Sequence, residues 1–333
     1  MTQAPATPAL TWRPLHPDLV PQWHRLTEVL VEADHGTEHL APDDLVDELA
    51  PDWIDLERDT VVALDADGVA RAFGVTQVRP GDVTLLRAQL WGGVDPEWRG
   101  RGIGRDLLAR QERRAAEIVA GRRAELGPET AAAAWLVVDE GVEATERLAT
   151  RAGFEPARHS WVMRRDLSTP LPDAALPATE AGLRLLPWSA ELDDAIRLAH
   201  NEAFTDHWGF QPWTEETWHQ WESGHRDFRG DWSFAVLDGE EVAAYALSAG
   251  YVNDWEAQGF TEGWTGKLGV RRRWRGRGLA KTLLAASMRA FREAGMEYAG
   301  LDVDSANPTG AVALYTGLGY EVRHQMVQYL KPL

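Results

Sequence analysis

Two stretches of this chain are copies of one another, and that limits its fold more than any other feature. Val94-Asp95-Pro96-Glu97-Trp98-Arg99-Gly100-Arg101-Gly102-Ile103-Gly104 lines up with Val270-Arg271-Arg272-Arg273-Trp274-Arg275-Gly276-Arg277-Gly278-Leu279-Ala280, so the 333 residues are an internal duplication. The match extends both ways. Upstream, Val61 to Val78 and Phe234 to Ser248 each read as strand, Asp/Gly turn, strand. Helical stretches, about Pro21 to Ala33 and Glu191 to Phe204, precede them, each followed by a second short helix. Downstream, Leu107, Leu108, Gln111, Ala115 and Ile118 parallel Leu283, Leu284, Ser287, Met288 and Phe291 at helical spacing. Each half is therefore a mixed α/β unit. The predicted layout is a flexible tail at 1–10, a first domain at 11–166, a linker at 167–182 and a second domain at 183–333. The linker rests on Pro170, Pro172 and Pro177 in a stretch without periodicity.

Composition supplies a core for each half, with 44% hydrophobic and 26% charged residues, and removes several classes of function. No cysteine occurs, which excludes disulfides, thiolate metal sites and a cysteine acyl-enzyme; any acyl transfer is direct or uses another nucleophile. A formal charge of −18 argues against a nucleic-acid partner, which needs a basic face. The longest apolar run, Ala131 to Val138, is too short to span a bilayer, and the N-terminus lacks the basic flank and apolar core of a signal peptide. A cytoplasmic protein with no membrane contact is expected. His35 and His39 have i, i+4 ligand spacing but no third ligand in view, so no metal is expected.

Chemistry concentrates in the second copy. Leu268, Gly269 and Val270 read as a strand that enters a loop with Gly276 and Gly278, and the loop opens into an amphipathic helix from about Leu279 to Glu293. Unpaired N–H groups at the positive end of a helix, reachable because glycine has no Cβ, make an anion site. Arg271, Arg272, Arg273, Arg275, Arg277 and Lys281 crowd this stretch, with no acidic residue from Val270 to Thr282. The spacing is neither a Walker loop nor a dinucleotide fingerprint. It reads R-x-x-G-x-A, from Arg275 through Gly278 to Ala280. After a strand at Ala299 to Val303 comes Asn307-Pro308-Thr309-Gly310-Ala311-Val312-Ala313-Leu314-Tyr315-Thr316-Gly317-Leu318-Gly319-Tyr320.

Together these motifs resemble the coenzyme A loop and the N-x-x-A-x-x-L-Y-x-x-x-G-[FY] element of the GNAT superfamily of N-acetyltransferases. The resemblance implies two tandem GNAT-like domains, each a mostly antiparallel mixed sheet flanked by helices. It also implies transfer of an acetyl group from acetyl-CoA to an amine of a small molecule or peptide. Arg275, Gly276, Arg277, Gly278, Leu279, Ala280 and Lys281 would hold the pyrophosphate, with Asn307 and Tyr315 also on the cofactor. Leu268 and Val270 would pair with the pantetheine, and a backbone N–H near Val270 would act as oxyanion donor. Tyr315 would protonate the departing thiolate, a nearly balanced transfer because phenol and thiol differ by only ~1.5 pK units. Glu262 is the candidate base, since even spacing along a strand puts it on the face of Val270; a bulge would reverse that parity. Phe204, Asp206, His207, Trp208, Tyr251 and Asp254 are the candidate substrate residues, aromatics and acids that suit an amine-bearing, partly apolar acceptor.

The first copy departs where chemistry would sit. Setting Gly153-Phe154 against Gly319-Tyr320 puts Gly141 opposite Asn307 and Ala149 opposite Tyr315. Asp95, Glu97 and Asp106 offset Arg99, Arg101 and Arg105. Val94, Arg99, Gly100, Arg101, Gly102, Ile103 and Gly104 remain as a possible second cofactor site, and only the second half is expected to be catalytic. The paired layout is similar to that of mycothiol synthase-like proteins, in which the base lies nearer the glycine loop, at the position of Trp264. A non-catalytic acyl-CoA-binding protein and a transferase for a longer acyl group are the alternatives. Monomer and homodimer are both compatible with the sequence.

Overall fold

The computed structural model describes residues 10–36, 38–178, 182–205, 207, 210–307 and 310–333. The chain forms two compact units, residues up to 157 with 327–333, and residues 158–326. In chain order the first unit holds β1 (Thr11–Arg13), α1 (Val20–Asp34), α2 (Pro42–Leu49), α3 (Leu56–Asp59), β2 (Thr60–Leu64), β3 (Ala70–Val78), β4 (Leu85–Val94), α4 (Ile103–Leu126), β5 (Ala131–Asp139) and α5 (Glu143–Arg151). Its strands lie in the order β1-β2-β3-β4-β5, antiparallel except for β4 beside β5.

The second unit takes β6 (Glu155–Asp166) from residue 158, then β7 (Leu183–Pro187), α6 (Ala190–Ala203), α7 (Glu215–Trp218), β8 (Phe234–Asp238) and β9 (Glu241–Ala249). It continues with α8 (Val252–Gln258), β10 (Glu262–Val270), α9 (Leu279–Glu293), β11 (Tyr298–Asp304), α10 (Ala311–Gly317) and β12 (Glu321–Pro332), the last ending in the first unit. The order is β7-β8-β9-β10-β11-β6, antiparallel except for β10 beside β11. Both units are thus mixed, mostly antiparallel sheets.

β3 and β9 are buried along nearly their whole length, which is why their apolar runs are continuous rather than alternating. In the second unit Ile196 and Ala199 of α6 cover Tyr245 and Leu247 on one face, and Leu279 and Leu283 of α9 cover Ala244 and Ala246 on the other. In the first, Trp23 and Leu26 of α1 and Leu45 of α2 lie on Phe73 and Val75. No helix among the described residues is long and apolar enough to cross a membrane.

A division at 166/167 differs from the one the structure shows. Met163 of β6 enters the second unit's core beside Leu301 and Phe291, while Val327 and Tyr329 of β12 enter the first unit's core beside Leu86 and Phe154. Residues 167–177, within the expected linker, are packed. Leu167 is buried with Leu301, Ala174 closes on Ala285 and Ala286, and Leu176 rests against Leu283. The Thr282 hydroxyl donates to the Ala175 carbonyl at 3.3 Å. Prolines restrict this segment without needing a helix or strand to hold it.

Candidate active site

β10 and β11 are paired only at Glu262↔Tyr298, Gly263↔Ala299 and Trp264↔Gly300, although both strands run on. They diverge after one parallel stretch. The cause lies in β10, whose register against β9 jumps between Thr265 and Lys267 and leaves Gly266 as a bulge. The Arg271 N–H donates to the Ala243 carbonyl at 3.0 Å. Alternation along the antiparallel pair then sends the N–H groups of Leu268 and Val270 away from β9, into the opening. Their side chains pack toward α9. An extended ligand entering this wedge meets a row of backbone donors.

The wedge leads to the N-terminus of α9. Gly276 and Gly278 have φ of 76° and 80°, the left-handed region that side chains resist. Gly278 is the capping residue and brings no side chain, so the first N–H groups of α9 are open to an anion. The arginines divide by task. Arg275 is a brace, its Nε donating to the Val270 carbonyl at 3.1 Å and its Nη2 to the Ala203 carbonyl at 2.7 Å, so it is committed to backbone rather than to a phosphate. Arg271 pairs with Glu202 at 2.6 Å, and Arg273 lies 3.5 Å from Glu241. A uniformly basic loop was the expectation; acids remote in sequence neutralise part of it. Arg272, Arg277 and Lys281 are exposed at its rim.

The bulge also reverses the parity on which Glu262 was placed. Val270 faces α9, whereas Lys267 pairs with Leu247 and Trp264 with Ala249, both on the α6 face. Glu262 lies with Trp264, both beside Gly300, where an added Cβ would come within 2.6 Å of each. It is only 9% exposed and ion-paired to Arg164 at 2.7 Å. Burial raises its pKa, and Arg164 pulls the other way.

The carboxylate open to the wedge is Asp302 of β11, which the sequence reading passed over. It sits two residues beyond Gly300, on the same face. Asp302 is solvent-exposed yet hemmed in by surrounding protein, and that crowding raises its pKa; Lys267 opposes the shift and Glu222 adds to it. The signal was an aspartate interrupting the apolar strand between Leu301 and Val303. Lys267 Nζ is 2.6 Å from Glu222 and 5.5 Å from the Trp213 ring centroid. Tyr315 of α10 is 8% exposed, its pKa raised first by burial and then by the charge of Asp302. Asn307 follows β11, its N–H on the Asp304 carbonyl at 3.0 Å.

Of the expected substrate residues, Phe204 is stacked between His200 and His207, at 4.3 and 4.2 Å between centroids. Tyr251 is 40% exposed and meets Trp264 edge-on at 6.4 Å. Asp254 is half-buried in α8. Asp206 and Trp208 lie outside the described residues. Beneath β10, His200 Nδ1 is 2.6 Å from the Tyr245 hydroxyl, in space that Gly269 leaves free because a Cβ there would collide with that hydroxyl. Burial lowers the His200 pKa to about 3, so the ring is neutral.

The first unit builds the same loop. Gly100 and Gly102 have φ of 76° and 85°, and Gly102 caps α4. Arg99 repeats the brace, donating to the Val94 carbonyl at 3.0 Å, and closes a two-point bond to Asp34 at 2.6 Å. Arg101 lies over Trp98 and donates to the Glu97 carbonyl. Ile103 is buried, and a Cβ on Gly104 would come within 3.2 Å of Leu148. β4 meets β3 without a bulge and pairs with β5 from Leu85↔Ala131 to Gln89↔Trp135. No group of three or more potential metal ligands occurs among the described residues.

A family model described as acetyltransferase (GNAT) family matches residues 194–320. Mycothiol acetyltransferase of Thermobispora bispora is 32% identical over 236 residues, 68% of this chain and 70% of that protein. Mycothiol acetyltransferase of Segniliparus rotundus is 28% identical over 308 residues, 87% of this chain and 99% of that protein. The structure of a GCN5-related N-acetyltransferase from Sphaerobacter thermophilus superposes with a TM-score of 0.75 at 25% identity, covering 97% of this chain and 95% of that one. A tandem GNAT protein from the clavulanic acid biosynthesis pathway shares the fold, with a TM-score of 0.68 at 18% identity over 97% of this chain and 98% of that one.

Proposed function

This chain belongs to the GNAT family of N-acetyltransferases and takes its acetyl group from acetyl-CoA, and from that premise we propose that its second unit performs the transfer, directly to a primary amine of a small molecule in the cytoplasm. The observation that carries the reading is the wedge at the Gly266 bulge, which joins the outward N–H groups of Leu268 and Val270 to the open N-terminus of α9. Acetyl-CoA, when bound, supplies a thioester carbonyl as electrophile. The exposed Arg272, Arg277 and Lys281, with the first N–H groups of α9, hold the pyrophosphate. Leu268 and Val270 hold the pantetheine and the carbonyl oxygen through their N–H groups.

Asp302, not Glu262, takes the proton from the incoming amine. Its raised proton affinity and open position suit a base, whereas Glu262 is held by Arg164. Tyr315 gives up its hydroxyl proton to the departing sulfur. The same charge on Asp302 that holds the Tyr315 proton in place disappears when Asp302 is protonated, so taking the amine proton makes Tyr315 the stronger acid. Tyr251 with Trp264, and Trp213 with the Lys267–Glu222 pair, form the acceptor wall. Curated relatives bear the name mycothiol acetyltransferase, which supports a small polar amine as acceptor.

The test is thiol release from acetyl-CoA across a panel of amines, with acetyl-CoA binding followed by calorimetry. Asp302→Asn and Tyr315→Phe should each lower kcat by about 10²-fold or more while binding persists, and Glu262→Gln should leave kcat within a few-fold. Full activity in Asp302→Asn, or loss confined to Glu262→Gln, would sink the assignment of the base.

A further inference from the structure

A cavity of about 230 Å³ lies within the first unit, lined by residues that include Trp12, Arg13, Val61, Thr76, Arg110 and Gln111. Strand register sets Trp12 opposite Leu185, Val61 opposite Phe234 and Gly74 opposite Ala246. The capping residues Gly102 and Gly278 set Arg110 opposite Ala286. In the second unit the corresponding space is solid, because Leu185, Phe234, Ala285 and Ala286 pack together with Ala174. In the first unit the phenylalanine is a valine and the alanine an arginine. One copy of the groove is core; the other is hollow and polar.

Most charges around the cavity are spent on one another. Asp59 is held by Arg114 at 2.6 Å and by the Asp55 N–H at 2.7 Å. Glu57 pairs with His16 at 3.1 Å, and Arg58 and Arg114 share Glu117 at 2.9 and 3.0 Å. Arg13 and Arg110 are different: both are exposed, and neither has a carboxylate partner among the described residues. The Arg110 guanidinium lies over the Trp12 indole, 4.7 Å from its centroid. In a chain with 52 acidic and 34 basic residues carboxylates are plentiful, and Glu57 and Asp59 line the same cavity, yet among the described residues none is ion-paired to Arg13 or Arg110. Two like charges on one cavity rim repel unless an anion lies between them. Behind them the floor is polar and fixed: Gln111, 5% exposed, donates to the carbonyls of Val75 and Trp91 at 3.0 and 2.8 Å, and Thr76 is 2% exposed.

We propose that the first unit binds a small organic oxyanion here, a carboxylate or phosphate ester with a short apolar part, the anion on Arg13 and Arg110 and the apolar part against Trp12 and Val61. The site is separate from the glycine loop of the same unit, since Arg110 lies eight residues along α4 from Gly102, about 12 Å of helix. It does not depend on the acetyl-transfer reading.

Phenyl phosphate and benzoate are the probes, followed on the full chain by calorimetry and saturation-transfer NMR. At least one should bind saturably, about tenfold or more weaker in Arg13→Ala combined with Arg110→Ala. Val61→Phe, which restores the filling of the second unit, should abolish binding, and Arg113→Ala, an exposed arginine of the same helix outside the cavity, should leave it unchanged. Thermal unfolding and retained acetyl-CoA binding check that each variant is folded and separate this site from the pyrophosphate loop. Preference for phenyl phosphate would assign a phosphate ester, and preference for benzoate a carboxylate. No saturable binding of either probe, or binding that the double variant and Val61→Phe both leave intact, overturns the proposal.

Discussion

Where the second unit has Lys267, the first has Trp91, and the exchange removes a charge from one face of a sheet. Register makes the two equivalent, since Trp91 pairs with Val75 as Lys267 pairs with Leu247. Trp91 joins Trp23 and Phe73 at 5.3 and 5.1 Å between centroids, an aromatic core in place of an ionised crevice. Two residues beyond the last parallel pair, Asp302 is answered by Val137, which is 45% exposed. Tyr315 is answered by Ala149, and the Gly266 bulge by nothing. Yet the glycine loop and its arginine brace are the same in both. The loop is held by backbone geometry and one guanidinium, so it is the same in both units although the side chains around it differ.

The comparison is broken most directly at the two capping glycines. Gly278→Glu should abolish acetyl-CoA binding and lower turnover by about 10²- to 10³-fold, because a carboxylate then sits where the pyrophosphate must. Gly102→Glu should leave turnover within about twofold; a comparable loss there, with the protein folded, would make the first unit part of the catalytic machinery. Adding the missing hydroxyl with Ala149→Tyr should create no second activity, since Val137 still stands where the base would be, and a gain measured in a Tyr315→Phe background would contradict that.

Smaller effects sharpen it. Arg99→Ala removes the two-point bond to Asp34 and should cost about 1.5–3 kcal/mol in chemical unfolding. A pH effect is confined to the second unit. His200 is held neutral down to about 3, so between that value and its ordinary value near ~6.5 the unfolded chain binds a proton that the folded chain does not. Its contribution is present above ~pH 6.5 and is lost as pH falls toward 3. Gly93, the counterpart of Gly269, faces Leu30 and pairs with Phe73, so the first unit has no such pair to titrate. Ring nitrogen shifts showing His200 still neutral at about pH 5 would agree; titration near 6.5 would mean the ring is open to water.

Amino-acid order alone determined the duplication, the α/β alternation, the extent of α9, the glycine loop and the motif carrying Tyr315. These are local: a positive φ selects glycine at a given position, and a helix declares its buried face every three or four residues. Tertiary structure decided the rest. One extra residue at Gly266 reversed the parity of Glu262, because strand periodicity carries no record of a bulge until the partner strand is in register. Glu202 and Glu241 took Arg271 and Arg273 of the loop into ion pairs, and Met163 and Val327 chose their cores, through contacts between residues far apart in the chain. Charge and apolarity are properties of residues, but whether a charge is available, and which core a strand feeds, are properties of neighbours that only the folded chain supplies.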